Sequence, residues 1–393
     1  MKRSIRDLLS LEGKRVFLRA DFNMPQNKVG KISDATRLTA ELPTIKFLVD
    51  KGAKVIICSH FGRPKGFDFK FSLWPVSLML MKHFPGKVQF AHKTIGEEVK
   101  KQIECMSNGS VLLLENVRFY EEETKNDKEF AKELASLADI YVNDAFGVAH
   151  RKHASTYGVA RLLPNAVGFL MENEINVITN AMENPQKPFV AIFGGAKVQD
   201  KIAAIVNILK TADTAIIGGA MAYSFLMAQG KTVGKSLCST ESVAIASEIL
   251  KKAEELDKRI LLPIDHVAYR ESDPKQKTFV TSLLEGDMVA CDIGPQSIKM
   301  FEDEIKNARQ VIWNGPLGKY EEKRFQKGTF KIAEAIGESQ AYSIVGGGDS
   351  VSAVKQAGCY RKINHISTGG GATLKLLEGN SLPGIDVIQE RYL

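Results

Sequence analysis

The stretch IFGGAKVQDKI, residues 192–202, ends a strand-like apolar run in two glycines and then sets Lys197 and Lys201 four residues apart. Glycine lets an anion approach the backbone closely, and a helix opening there would add its free N–H groups and positive end. On such a helix the i, i+4 spacing puts both ammonium groups on one face, a turn apart, where they repel each other unless an anion lies between them. GxxxxGK[ST] is absent, so this is not a P-loop. A second set of chemistry-bearing residues follows the apolar runs of the first half: Arg19, Asp21 and Asn23; His60 and Arg63; Arg118; Arg151 and His153. Singly each arginine reads as a surface residue. Four strand ends delivering cations to one rim imply a small ligand with several anionic oxygens, which guanidinium forks grip in pairs. Arg37, in SDATRLTAELPTI, adds a further cation near a helix start. His150 and His153 stand at i, i+3 without a third ligand at metal spacing, and His83 and His92 read as surface residues.

The second half places glycine where the first places cations: Gly194-Gly195, Gly218-Gly219, Gly294-Pro295, Gly315-Pro316, Gly346-Gly347-Gly348 and Gly369-Gly370-Gly371. One such turn signifies tight strand-to-helix packing; six in one domain favour a phosphate-bearing ligand. GGGDSV and GGGATL both lack the last glycine of G-x-G-x-x-G. Asp349 is the best-placed carboxylate for a magnesium ion held mainly by nucleotide phosphates, and Glu321 could accept from a ribose. Both also read as ordinary first-turn or capping acids.

These residues must be positioned by strands and helices. Short runs rich in Val and Ile alternate with segments of helical period, the βαβ signature of doubly wound, mostly parallel α/β domains. RVFLRADFN, KVIICSHFGRP, SVLLLENVRF and DIYVNDAFGVAHR supply the first half. FVAIFGGAKV, TAIIGGAM, RILLPIDHV, VACDIGP, VIWNGPLG, YSIVGGGDS and ISTGGGAT supply the second. At 393 residues the chain suits two domains. Between the halves, Phe169, Ile175, Ile178 and Met182 keep helical spacing until Pro185, which predicts a connecting helix of about 18 residues. The tail NSLPGIDVIQERYL is too short to stand alone and must dock elsewhere. The five cysteines are odd in number and scattered, and read as reduced core residues. The net charge of +7 is not gathered into a block, which disfavours nucleic acid. No apolar run reaches the length of a membrane span, the N-terminus lacks a signal-peptide core, and a cytoplasmic protein is expected.

In order, RADFNMP, DATRLTAELPTI, SHFGRP, LLENVRF, NDAFGVAHRKHAS, FGGAKVQDKI, WNGPLG, GGGDS and STGGGATLKLLEG resemble phosphoglycerate kinase, from about residue 14 to about 379. The resemblance implies two doubly wound domains joined by a helix across a central cleft, divided at 1–170 (phosphoglycerate-binding), 171–375 (nucleotide-binding, with the connecting helix) and 376–393, returning to the first domain. It implies transfer of a phosphoryl group between 1,3-bisphosphoglycerate and MgADP, giving 3-phosphoglycerate and MgATP, by a monomer. By resemblance, Asp21, Phe22, Asn23, Arg37, His60, Phe61, Gly62, Arg63, Arg118 and Arg151 bind the phosphoglycerate. Gly195, Lys201, Asn314, Glu321, Gly347, Gly348, Asp349 and Ser350 hold the nucleotide, with Asp349 on its Mg2+. Arg37, Lys197, Gly348 and Gly371 face the transferring group. Met24, Phe61 and Ser350 replace the family's usual valine, leucine and threonine; Ser350 keeps a hydroxyl for a phosphate contact.

Other readings stand beside this one. A two-domain protein that closes on an anion without chemistry gives Lys197 and Asp349 little purpose, and another two-domain kinase or ligase with a carboxylate substrate is set aside only by the ordered motifs.

Overall fold

A computed structural model describes residues 1–27, 30–273 and 275–391. It divides into two compact units, Met1–Asn176 with Ser381–Leu393, and Val177–Asn380.

In the first unit six parallel strands form one sheet: β1 (Arg15–Arg19), β2 (Lys54–Cys58), β3 (Val88–Phe90), β4 (Val111–Leu113), β5 (Ile140–Asn143) and β6 (Asn165–Val167), in the order β3-β4-β2-β1-β5-β6. Phe17 of β1 stands level with Ile56 on one side and Tyr141 on the other. The runs are apolar throughout because both faces are covered, so no polar alternation survives. Val16, Leu18, Val55, Ile57, Val111 and Val142 meet the apolar side of the helix Thr36–Asp50 (Leu38, Ile45, Leu48) in one core. From β1 the chain winds toward β2 on one side, while β5 lies on the other. Residues just after β1 therefore sit at the switch point, where open α/β sheets bind ligands. β3 and β6 were not expected: three residues each are too few for a periodic signal.

The second unit holds a six-stranded parallel sheet of β7 (Phe189–Phe193), β8 (Thr214–Ile217), β9 (Arg259–Leu261), β13 (Gln310–Asn314), β14 (Tyr342–Gly346) and β15 (His365–Ile366), in the order β15-β14-β13-β7-β8-β9. Its switch point lies between β7 and β13, directly below Gly194 and Gly315. Beside it β10 (His266–Arg270), β11 (Phe279–Thr281) and β12 (Met288–Ile293) form an antiparallel sheet, β11-β10-β12. Two expected runs are corrected here. RILLPIDHV is not one strand but two, β9 and β10, broken around Pro263, which has no N–H for a ladder. VACDIGP is β12, antiparallel to β10 and outside the parallel sheet.

The connecting helix is Phe169–Glu183, 15 residues, and the units divide within it, between Asn176 and Val177, rather than at 170. The return to the first unit begins at Ser381 rather than 376, and Tyr392 and Leu393 of the expected C-terminal segment lie outside the described residues. The tail is held by buried amides. Asn143 Nδ2 donates to the Gly384 carbonyl (2.9 Å), Asn165 Nδ2 to the Val387 carbonyl (3.3 Å), and the Gln389 N–H donates to Asn165 Oδ1 (2.8 Å). Of the five free cysteines only Cys58 and Cys359 are buried; Cys105 is exposed, which corrects the expectation of core thiols.

Asn165 also donates to the Ala160 carbonyl at 2.6 Å. Asn165→Ala orphans these groups and should cost about 1–3 kcal/mol in urea unfolding, with earlier proteolytic loss of the tail. An unchanged denaturation midpoint and cleavage rate would show that the tail is held by its apolar contacts alone.

Candidate active site

After β1 the chain turns outward through Asp21 and Asn23, and most of the expected substrate residues are tied to these two. Arg37, in the first turn of the helix Thr36–Asp50, pairs with Asp21 Oδ2, and the Asn23 N–H donates to Asp21 Oδ1 (3.1 Å). Asn23 Oδ1 in turn accepts from the Gly62 N–H (2.8 Å), and Arg118 donates to the Gly62 carbonyl (2.7 Å). Gly62 has φ +64°, and a Cβ there would lie 2.4 Å from the Phe71 ring, so only glycine fits. Arg118 is aimed by Asn116, whose side-chain oxygen accepts its N–H (3.0 Å). Arg63, Arg118 and Arg151 line one open cavity of about 910 Å³.

His60 reports how closely the cations gather. Its ring is buried, and burial, then Arg19, Arg118, Arg37 and Arg151, hold its pKa well below the ordinary imidazole value. It is therefore neutral at pH 7, lying 3.8 Å from Asp21 Oδ1 and 3.3 Å from Arg19. Arg118 itself is pulled down to about 10 by burial and by Arg19 and Arg151.

Four expected residues of this set stand elsewhere. Arg19 is not on the rim. It is fully buried and donates to Ser155 Oγ at 2.7 Å, and Ser155 donates to Glu123 (2.6 Å). Burial would raise the pKa of Glu123, but His153, Arg19 and Ser155 outweigh it and keep the carboxylate below its usual value. His153 is 3.6 Å from Glu123 and belongs to this buried support. Phe22 and Phe61 are core side chains whose N–H groups are already used by Ser59 Oγ (2.9 Å) and Asn116 Oδ1 (3.2 Å). They position their neighbours. Sequence reading missed Ser59, Asn116, Glu123 and Ser155; only Ser59, directly after an apolar run, and Asn116, one residue further from its own, left a trace.

In the second unit the six glycine turns divide into kinds. Those at 194–195, 218–219 and 315–317 are locked to one another: the Gly194 N–H donates to the Asn314 carbonyl (3.1 Å), Gly219 to Leu317 (2.9 Å) and Met221 to Gly195 (3.0 Å). A Cβ on Gly194 would lie 2.0 Å from the Pro316 oxygen. Gly294 opens the helix Pro295–Asn307, but Asp265 already caps it, accepting from Gln296 (2.9 Å) and Ser297 (2.7 Å). No phosphate is needed there. The remaining two, Gly347 and Gly370 with φ of +92° and +53°, open the helices Gly348–Gln356 and Gly371–Leu377. Gly348 is exposed, with space around its Cα.

The two lysines do not share a helical face. Lys197 lies in an irregular, exposed segment beside a cavity of about 400 Å³, and Lys201 ends the 3-10 turn Gln199–Lys201, half-buried. Gly194 and Gly195 open no helix; the chain needs residues 194–198 to cross the interlocked turns before it can coil. Lys201 Nζ donates to the Asn314 carbonyl (2.8 Å) and side-chain oxygen. Burial lowers its pKa to about 8, against Asp349 and Asp200, which act to raise it. Asn314 is buried beneath, Glu321 and Asp349 are exposed, and Ser350 is buried with its hydroxyl accepting from the Gly315 N–H (2.5 Å). Through that bond Ser350 steadies the Asn314–Gly315 turn and keeps its own O–H as a donor.

Comparison with known proteins agrees over the whole chain. The family model described as phosphoglycerate kinase matches residues 5–380. A phosphoglycerate kinase of Dictyoglomus turgidum is 49% identical over 99% of this chain and 100% of its own, and one of Clostridium botulinum 49% identical over 99% of each. Among solved structures, the phosphoglycerate kinase of Coxiella burnetii superposes with a TM-score of 0.88 at 37% identity, and that of Pyrococcus horikoshii with 0.83 at 33%, each over 98% of both chains. The chain belongs to the phosphoglycerate kinase family.

Proposed function

We propose how the residues divide the work of the family's glycolytic reaction, transfer of a phosphoryl group between 1,3-bisphosphoglycerate and ADP to give 3-phosphoglycerate and ATP. The observation that carries the assignment is the buried His60 ring, 3.3 Å from Arg19 and 3.8 Å from Asp21, at the switch point of the first sheet where Arg37 and Arg118 also gather. Arg63, Arg118 and Arg151 grip the anionic oxygens of phosphoglycerate, with Asp21, Asn23 and His60 orienting its polar groups and Gly62 steadying Arg118. Arg37 exchanges its bond to Asp21 for the transferring group.

In the second unit Lys201 holds the phosphate chain and Asn314 orients it. Gly195, Gly347 and Gly348 let the nucleotide approach the backbone, and Glu321 takes the ribose. Lys197, Gly348 and Gly371 meet the moving phosphoryl group. Among the described residues no three His, Cys, Asp or Glu side chains form a metal cluster, while Asp349 offers one exposed carboxylate in a helix's first turn. One hard oxygen ligand suits Mg2+ carried mainly by nucleotide phosphates. Bound there, magnesium would neutralise phosphate charge.

The acceptor in the ATP-consuming direction is a carboxylate, ionised at neutral pH, so the protein needs no general base. Its contribution is alignment and neutralisation of spreading negative charge. The two ligands are assigned to different units, so closure must bring them together and shield the acyl phosphate from water. One chain carries both sets of residues, so a monomer suffices. No helix among the described residues is long and apolar enough to cross a membrane, and the cytoplasm is the compartment assigned to this glycolytic enzyme.

Purified protein given MgATP and 3-phosphoglycerate, coupled to glyceraldehyde-3-phosphate dehydrogenase, should oxidise NADH; a rate equal to the protein-free blank would overturn the reading. Arg37→Ala should lower turnover by roughly two to three powers of ten while retaining the fold; near-normal turnover removes Arg37 from the reacting group. The lysines should separate, with nucleotide affinity lost on replacing Lys201 and turnover on replacing Lys197. Because Lys201 loses its proton near pH 8 in the free protein, ADP affinity should weaken as pH rises through that value, and Lys201→Arg should move the decline upward. Calorimetric titrations that superpose for the two proteins would exclude Lys201 as the titrating contact.

A further inference from the structure

We propose that Glu41 and Asp144 share a single proton, and that this bridge makes them positioning residues tying Asp21 of the phosphoglycerate site to the first turn of the connecting helix. Both residues lie inside motifs of the resemblance, DATRLTAELPTI and NDAFGVAHRKHAS, but neither was given a role there. Glu41 stands one turn after Arg37 on the helix Thr36–Asp50 and is fully buried; Asp144 follows β5 and is equally buried.

Each carboxyl is half used. Glu41 Oε1 accepts the Asp21 N–H at 2.9 Å, and Asp144 Oδ1 accepts the Met171 N–H at 2.9 Å, while Thr44, one turn below Glu41, accepts the Phe169 N–H at 3.0 Å. The other oxygens, Glu41 Oε2 and Asp144 Oδ2, are buried without a hydrogen-bond partner in good geometry, although the Thr44 hydroxyl and the Leu170 N–H also act on Asp144 and favour its charged form. The two side chains interact with each other. Two carboxylate oxygens cannot donate to one another, so both are satisfied only if one carries a proton. Burial, then the neighbouring Asp144 charge, push Glu41 well above the carboxylate range, and burial lifts Asp144 to about 6. The pair therefore holds one proton between its facing oxygens at pH 7.

The charged groups around the pair sit at its two ends. Toward the site stand Asp21, Arg37 bound to it, and His60; toward the helix entry stand Arg6 and Glu172, 3.7 Å apart. Gly168 fixes the helix end of the bridge, because a Cβ there would lie 2.4 Å from Asp144 Oδ1. Arg37 and Glu41 thus hold one residue, Asp21, by its carboxylate and by its backbone. When Arg37 leaves Asp21 for a ligand, Asp21 keeps its place through Glu41, and any shift reaches residues 168–171 through one shared proton.

The inference rests on assigning Asp21 and Arg37 to phosphoglycerate, and the tests separate the two. In an infrared difference spectrum at pH 7, wild type minus Glu41→Gln should show a protonated-carboxyl C=O band; its absence overturns the shared proton whatever the activity. Glu41→Leu leaves the Asp21 N–H unpaired and Asp144 a lone buried charge, and should raise KM for 3-phosphoglycerate about tenfold with KM for ATP little changed. Glu41→Gln, whose amide can donate to Asp144 and accept from Asp21, should restore most of that loss. If Arg37→Ala is impaired but Glu41→Leu, folded by circular dichroism, keeps the wild-type KM, the positioning role is wrong. If Arg37→Ala itself is unimpaired, the site assignment fails. Should Glu41→Leu not fold, the infrared comparison still decides.

Discussion

The first unit must keep several cations together at one sheet end in the absence of any ligand. Two unit charges about 8 Å apart at an effective dielectric near 20 interact by about 2 kcal/mol, so an uncompensated group of arginines would threaten a domain of ordinary stability. Glu123 and Asp21 supply the offset. Glu123 stays ionised despite full burial because Ser155 gives it two hydrogen bonds and Arg19 lies beyond. His153 and Arg19 therefore keep Glu123 ionised from behind, and Glu123 offsets the repulsion that Arg19 itself adds to Arg118. His60 completes the arrangement by remaining neutral, adding hydrogen-bonding capacity without a further charge.

The second unit solves the opposite problem. A nucleotide brings its own charge, and what it requires is room and oriented donors. The three interlocked turns above β7, β8 and β13 leave no space for a side chain at Gly194, Gly219 or Gly315, and the Gly194, Gly219 and Met221 N–H groups bond across them, while Gly195 keeps open space. They make a rigid floor rather than an anion cradle. Lys201 is anchored to that floor through Asn314 and partly desolvated by it, while Lys197, off the helix and exposed, keeps the freedom that a moving group would demand.

Much of this was legible in the sequence, for a physical reason. Strands buried on both faces are written as unbroken apolar runs, and the residues after each run land at the ligand edge of a parallel sheet, so Asp21, Asn23, His60, Arg63 and Arg118 could be placed there. Edge strands β3 and β6 were too short to leave a period, and the antiparallel pairing of β10 with β12 depends on partners 20 residues away. Phe22, Phe61, Ser350 and Arg19 share one difficulty. Proximity in sequence to a binding residue does not say whether a side chain faces the ligand or the core, because that depends on a single φ/ψ step beyond the strand. Glu41 was hidden differently: on a helix it looks like any solvated acid, and only the fold reveals that its side chain is buried and interacts with Asp144.

In both units the donors proposed to meet the ligand are already stripped of part of their water. Burial brings Lys201 to about 8 and Arg118 to about 10, and drives His60 fully to the neutral form. A cation held in this way is destabilised in the empty protein, and an arriving phosphate relieves the strain while forming short charged hydrogen bonds. The protein therefore accepts some loss of stability to keep its donors preorganised, and need not reorganise water when charge spreads over the phosphoryl oxygens. Asp21 shows why that loss is tolerable. By pairing with Arg37 it stands in for the absent anion, and because its place is fixed by Glu41 through the backbone, it can release the guanidinium without moving itself.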